Sequence, residues 1–240
     1  MRRFLQPRKV VAMRDSQRPG GPELEFFSRV ARATTRRQFL RWSGLAVGVT
    51  AVGCGDDTLG PDDAFELGSG DVGILNLAYA LEQMDAAFFT QATLHFYAGS
   101  SAEEQRVLND IRAHEVAHRD LLKGVLGSAA IGELEFDFST VDFTSRDSVL
   151  TFGIKFEDLG VAAYNGAGPQ LTSAANLLLA GKIVSVEARH AAALRDLIVP
   201  RTAFFAGDDV VDANGLDRAL PAAQVLAEAD PYIVPAASLT

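Results

Sequence analysis

The chain has 240 residues, 48% hydrophobic and 22% charged, with a formal net charge of −9, a composition that excludes a disordered or low-complexity protein. Residues 1–53 carry eleven of the 22 Lys and Arg but only three of the 31 Asp and Glu. The remainder is therefore strongly acidic and repels a phosphate backbone, so no nucleic acid is expected as a partner. A single cysteine, Cys54, excludes an intrachain disulfide and a multi-cysteine zinc site.

Thr35-Arg36-Arg37-Gln38-Phe39-Leu40-Arg41 precedes an uncharged, moderately apolar run from Trp42 to Gly53. Paired arginines followed at once by such a run read as an export address, and the run is shorter than the roughly 20 residues of a membrane span. The stretch resembles the twin-arginine translocation signal, which implies export of an already folded protein and suits one that takes up its cofactor inside the cell. Ala51-Val52-Gly53-Cys54 resembles a lipoprotein processing site, with Ala51 where leucine is usual. That resemblance implies a lipid on Cys54; ordinary cleavage nearby and an uncleaved anchor are the alternatives. The expected order is an export signal over 1–53, a linker over 54–70, a helical bundle over 71–200 and a tail over 201–240 docked on it. The mature protein is expected in the periplasm or cell envelope, touching membrane only through a lipid on Cys54.

From Asp71 onward, helical periodicity appears in four places. The first stretch, about 71–98, sets Leu75, Ala78, Glu82, Asp85 and Phe89 on one stripe. Ser101-Ala102-Glu103-Glu104 then has the pattern of a capping box, opening a second helix that runs to Leu126. Its stripe, Leu108, Ile111, Glu115, His118, Leu122 and Val125, steps by three and four, the seam spacing of packed helices. The third helix, about 145–167, carries Leu150, Ile154, Glu157, Val161 and Tyr164, and Gly166 to Pro169 end it. The fourth, about 173–198, carries Ile183, Glu187, His190, Leu194 and Leu197, with Pro200 beyond. Between helices two and three, Leu134, Phe136 and Phe138 alternate with Glu135 and Asp137, which predicts an extended segment with one face on the bundle. The short gaps elsewhere demand antiparallel neighbours. The fold is accordingly all-α: a ferritin-like antiparallel four-helix bundle with one long crossover between helices 2 and 3. A C-terminal tail follows, with one short helix near 216–229.

Each apolar stripe is broken by charge at one level. Helices one and three supply Glu82 and Glu157; helices two and four supply Glu-x-x-His, as Glu115 with His118 and Glu187 with His190. At about 1.5 Å per residue, Glu82 and Glu115 differ in height by only ~3 Å, and Glu157 and Glu187 by ~6 Å. Burying four carboxylates costs several kcal/mol each unless something neutralises them. Two divalent cations do so, and i, i+3 spacing lets a glutamate and a histidine reach one ion. Oxygen and imidazole donors suit Fe or Mn. A hydrogen-bonded polar core without metal is the competing reading. His114 lies about 100° around the helix from Glu115 and is expected off the seam, and His95 outside the site. Tyr79 and Tyr164 are expected as buried core tyrosines, with a hydrogen bond to a ligand or a part in electron transfer near the ions as the alternatives. Phe88, Phe89, Phe96 and Phe152 are expected in the core.

Two glutamates with two Glu-x-x-His pairs form the ligand pattern of di-iron and di-manganese carboxylate bundles. The stretches ILNLAYALEQMDAAFF, IRAHEVAHRDLL, FEDLGVAAYNGAGP and GKIVSVEARHAAALRDLI resemble the ferritin-like superfamily. Within it they are similar to exported ferritin-like domain proteins related to plant desiccation-related proteins. The resemblance covers about 70–235 and implies that Glu115 and Glu187 bridge two Fe or Mn ions. Glu82 with His118, and Glu157 with His190, then complete the two shells in some pairing. Phe89 departs from the tyrosine common in such relatives. Redox chemistry with O2 or H2O2 is the activity expected, of ferroxidase, peroxidase or catalase type. The alternative is a non-enzymatic envelope protein that sequesters metal or protects against desiccation.

Overall fold

The computed structural model describes residues 67–234; the export signal and Cys54 lie outside that range. Five α-helices follow in order: α1 Gly70–Leu94, α2 Ala102–Leu126, α3 Arg146–Ala167, α4 Ala174–Ile198 and α5 Ala222–Ala229. The chain is all-α among the described residues, where two isolated β-bridges stand in place of strands. No helix among them is long and apolar enough to cross a membrane.

Helix boundaries follow from the capping chemistry. Ser101 Oγ accepts from Glu104 N at 3.1 Å while Glu104 Oε2 accepts from Ser101 N at 2.7 Å, closing the capping box at the start of α2. Gly127, at φ 55°, then takes the backbone into a region open to glycine and ends the helix. Ser145 and Ser173 cap α3 and α4 in the same way. Asp71 adds a tertiary cap. One of its oxygens accepts from Thr172 N and Oγ1, and the other from Ser173 N and Asn176 Nδ2, all within 2.9 Å. A carboxylate at the positive end of α4 is well placed, and these donors hold its pKa well below the usual carboxylate range.

Two departures from the sequence reading have local causes. The first helix stops at Leu94 and not near 98, because Tyr97 turns inward to bury its ring, 2% exposed. Burial of a ring that size outweighs another turn of exposed helix. The short helix of the tail begins at Ala222 and not near 216. Pro221 occupies its N-cap, and the preceding residues fold back around Gly215, with Val211 bridging Asp217.

α1 pairs along its length with α2, and α3 with α4; α1 also packs on α3. The crossover from Gly127 to Ser145 carries the predicted alternation, since Leu134, Phe136 and Phe138 turn inward while Glu135 and Asp137 are exposed. It is stitched to α1 by two buried amides. Asn76 donates to Leu67 O and Ala129 O and accepts from Ile131 N, each at 2.9 Å, while Gln83 Oε1 accepts from Leu134 N at 2.9 Å. The outer edge of the crossover pairs with the chain after α5 through Asp137 N to Tyr232 O and Val234 N to Glu135 O.

Residues after α4 lie against α3. Leu220 N donates to Ala162 O at 2.9 Å, and the approach is so close that a Cβ on Gly166 would meet the Leu220 carbonyl. Only glycine fits there. Arg195, buried on α4, reaches Asp158 of α3 at 2.6 Å and Asp209 of the tail at 2.8 Å, tying three segments together.

Apolar side chains form two clusters. One holds Phe88, Phe89, Leu150, Phe156 and Leu194, with Phe88 edge-on to both Phe89 and Phe156 at 5.0 Å. Phe96 and Phe152 pack at its margin, half-buried and not in its centre. The other cluster holds Tyr79, Leu122, Tyr164 and Ile183. The charged level read from the sequence falls between the two.

Candidate metal centre

Six side chains from four helices meet at that level: Glu82 of α1, Glu115 and His118 of α2, Glu157 of α3, and Glu187 and His190 of α4. The four glutamates are at most 1% exposed. The seam spacing explains the meeting. Each residue replaces an apolar side chain at one inward position, and two hairpins of equal height bring the four positions to one level.

The donor atoms form two overlapping groups. Glu82, Glu115, His118 and Glu187 make one, and Glu115, Glu157, Glu187 and His190 the other, with the atoms of each group within 4.8 Å of one another. Glu115 and Glu187 belong to both. His118 Nδ1 lies 2.9 Å from Glu187 Oε1, 3.4 Å from Glu82 Oε2 and 3.6 Å from Glu115 Oε2. Across the site, His190 Nδ1 lies 2.8 Å from Glu115 Oε1 and 3.3 Å from Glu157 Oε2.

His118 Nδ1 and His190 Nδ1 each lie within hydrogen-bond distance of a carboxylate oxygen, at 2.9 and 2.8 Å, yet neither makes a hydrogen bond. Both Nδ1 atoms, Glu82 Oε2, and both oxygens of Glu115, Glu157 and Glu187 are buried without a hydrogen-bond partner. Native interiors rarely leave such atoms unmatched, and so many in one place is what a cation-binding cluster presents. Four carboxylates and two neutral imidazoles match two divalent ions in charge, so the residues fit the group.

Without a cation the cluster redistributes its own protons. Burial, and then the charge of Glu187, push Glu82 well above the usual carboxylate range; burial and the charge of Glu115 do the same to Glu157. Glu187 is raised for the same two reasons. Burial would raise Glu115 too, but the imidazoles of His118 and His190 outweigh it and hold its pKa down to about 2. Burial opposes a charge on His118, yet Glu115, Glu187 and Glu82 together lift it to about 12.

Two further residues adjoin these six, Tyr164 and Asp85. Tyr164 is a buried core residue, as expected, and also donates its hydroxyl to Glu82 Oε1 at 2.6 Å. Tyr79 stays within the apolar cluster. Asp85, one turn after Glu82 and 1% exposed, keeps Oδ1 buried without a partner. Burial, followed by the charges of Glu115 and Glu187, pushes it well up. The sequence put Asp85 on the inward stripe without giving it a role.

His114 corrects the sequence reading. It is exposed, as its angle around α2 predicts, but its ring reaches α4, where Nδ1 lies 2.9 Å from His190 Nε2. The ring planes are 6° apart with centroids at 5.1 Å. A 2.9 Å N···N contact spanning that separation is compatible only with rings nearly coplanar, edge to edge, so this is an in-plane hydrogen bond and not a stack. It leaves Nδ1 of His190 for the cluster. The signal was present as His114 and His118 at i, i+4, a spacing that shares one side of a helix. His95 lies exposed at the end of α1.

The ferritin-like domain family matches residues 70–200, the four-helix region that carries all six residues. The chain belongs to the ferritin-like domain family. No curated protein matches it.

Proposed function

We propose that this is an exported ferritin-like protein that holds two iron or manganese ions and uses them for redox chemistry with dioxygen or peroxide. The observation that supports it best is the set of buried donor atoms without partners, divided into two groups that share Glu115 and Glu187. When bound, a pair of such ions supplies two electrons to a small oxidant, or takes two from it. The protein's own contributions are separable. Glu115 and Glu187 fix the spacing, the flanking apolar clusters exclude bulk water, and His114 and Tyr164 orient one ligand each.

Export to the cell envelope is supported by Arg36 and Arg37 ahead of the apolar run, and lipid attachment by the small residues before Cys54. The full chain, purified and loaded anaerobically with Fe(II) or Mn(II), should consume dioxygen or hydrogen peroxide over many turnovers, followed with an oxygen electrode and by peroxide absorbance. A loaded protein inert to both would favour the non-enzymatic reading, metal sequestration or protection of the envelope. Arg36→Lys with Arg37→Lys should leave the protein in the cytoplasm on cell fractionation; unchanged export would remove the twin-arginine assignment.

A further inference from the structure

We propose that the two ion positions are unequal by construction. The Glu157–His190 position fills first and holds its ion, while the Glu82–His118 position is exchangeable and receives small exogenous ligands. Tyr164 is the positioning residue that keeps it open. The proposal rests on the reading of the cluster as a dinuclear centre.

Both positions share Glu115 and Glu187, so any difference lies in their terminal residues. Glu157 has both oxygens buried and free of hydrogen bonds, whereas Glu82 has only Oε2 in that condition. Its Oε1 is taken by the Tyr164 hydroxyl at 2.6 Å. With one oxygen from each shared glutamate, the Glu157–His190 position offers five protein donors and the Glu82–His118 position four. An ion that prefers six donors is left with one vacancy at the first and two at the second. Asp85 does not make up the difference, since its carboxylate belongs to neither converging group.

The imidazoles differ in the same sense. His190 Nε2 is held by His114 at 2.9 Å, which fixes the ring's orientation toward the cluster. His118 has no such partner among the described residues, and its side chain is 12% exposed against 6% for His190. The more exposed and less supported imidazole thus sits at the position with fewer donors. Three independent features point the same way: carboxylate oxygens, support behind the imidazole, and access.

The test is an anaerobic titration of the metal-free full chain with Co(II), followed by visible absorbance and calorimetry. Two steps are expected, with dissociation constants separated about tenfold or more, the usual effect of outer partners on metal affinity. Glu82→Gln should keep the tight step and lose the weak one, and Glu157→Gln should lose the tight step. Azide should bind about tenfold more tightly once the second ion is present, because that position has two vacancies where the first has one. Tyr164→Phe frees Glu82 Oε1 to fill a vacancy and should weaken azide about tenfold while leaving the tight step in place. Two indistinguishable steps, loss of the tight step in Glu82→Gln, or an azide affinity unchanged by the second ion would each overturn the inequality while leaving the dinuclear centre intact. Azide binding unchanged in Tyr164→Phe would remove the role of Tyr164. Absence of stoichiometric Co(II) would refute the centre itself. If Tyr164→Phe does not fold, the Glu82→Gln and Glu157→Gln pair decides the order of filling.

Discussion

Loaded anaerobically with Fe(II) or Mn(II) and freed of excess, the chain should retain about two ions per molecule, and Glu115→Ala should lose both together. The expectation follows from sharing, since Glu115 contributes to both converging groups. Its Oε1 is 2.8 Å from His190 Nδ1 and its Oε2 is 3.6 Å from His118 Nδ1, so truncation removes a donor from each side at once. It also strips both imidazoles of the carboxylate between them. Glu82→Ala, touching one group alone, should leave about one ion. Elemental analysis reads the stoichiometry, and thermal unfolding gives an independent measure. Free metal at about 1,000 times its dissociation constant stabilises by roughly 4 kcal/mol per site, worth about 8–16 °C in a domain of this size. Glu115→Ala should show no such rise. A wild-type chain without stoichiometric metal would leave the six residues as a protonated polar core, and the search for function would move to the surface and the tail.

The bundle was legible because its seams are regular. Steps of three and four in four stretches, two short gaps and one long one leave few arrangements besides two antiparallel hairpins joined by a crossover. The six charged residues stood out because each interrupts an otherwise apolar stripe. What escaped the sequence depends on how far a side chain reaches and on which distant segments the fold brings beside it. His114 lies about 100° around α2 from Glu115, yet its planar ring carries a nitrogen to the neighbouring helix. Asn76 and Gln83 were assigned nothing in the sequence, whereas they are the buried amides that accept from and donate to the crossover backbone. Their partners lie about fifty residues away in sequence, and local periodicity carries no trace of them. Asp85 was visible as an inward charge, but its relation to the other carboxylates depends on how the four helices face one another.

Stripped of metal, the protein should be most stable in mildly acidic solution and should lose stability steadily as the pH rises through neutrality. Glu82, Asp85, Glu157 and Glu187 all have folded pKa values above those of the free side chains, with burial as the first cause in each. The folded state therefore keeps protons that the unfolded chain gives up above about pH 4.5, and stability falls with every further pH unit until the folded groups ionise too. His118 acts in the same direction at higher pH. Its contribution is complete below 6.5 and is lost as pH rises through about 12. Glu115 works oppositely, with a contribution present above 4.5 and lost as pH falls through about 2, which sets the acid limit. Each carboxyl that stays protonated costs about 1.4 kcal/mol per pH unit, or about 3–5 °C in a chain of this size. Asp85→Asn, which cannot titrate, should make the decline shallower by one such share. Bound ions should reverse the trend, because ligands must lose their protons to bind and affinity rises with pH. Thermal unfolding from pH 4 to 9, with and without Mn(II), separates the two regimes. A metal-free protein whose stability is flat or rising between pH 5 and 8 would mean that the carboxylates are already ionised in the fold, with their charge compensated by something other than the protons assigned to them.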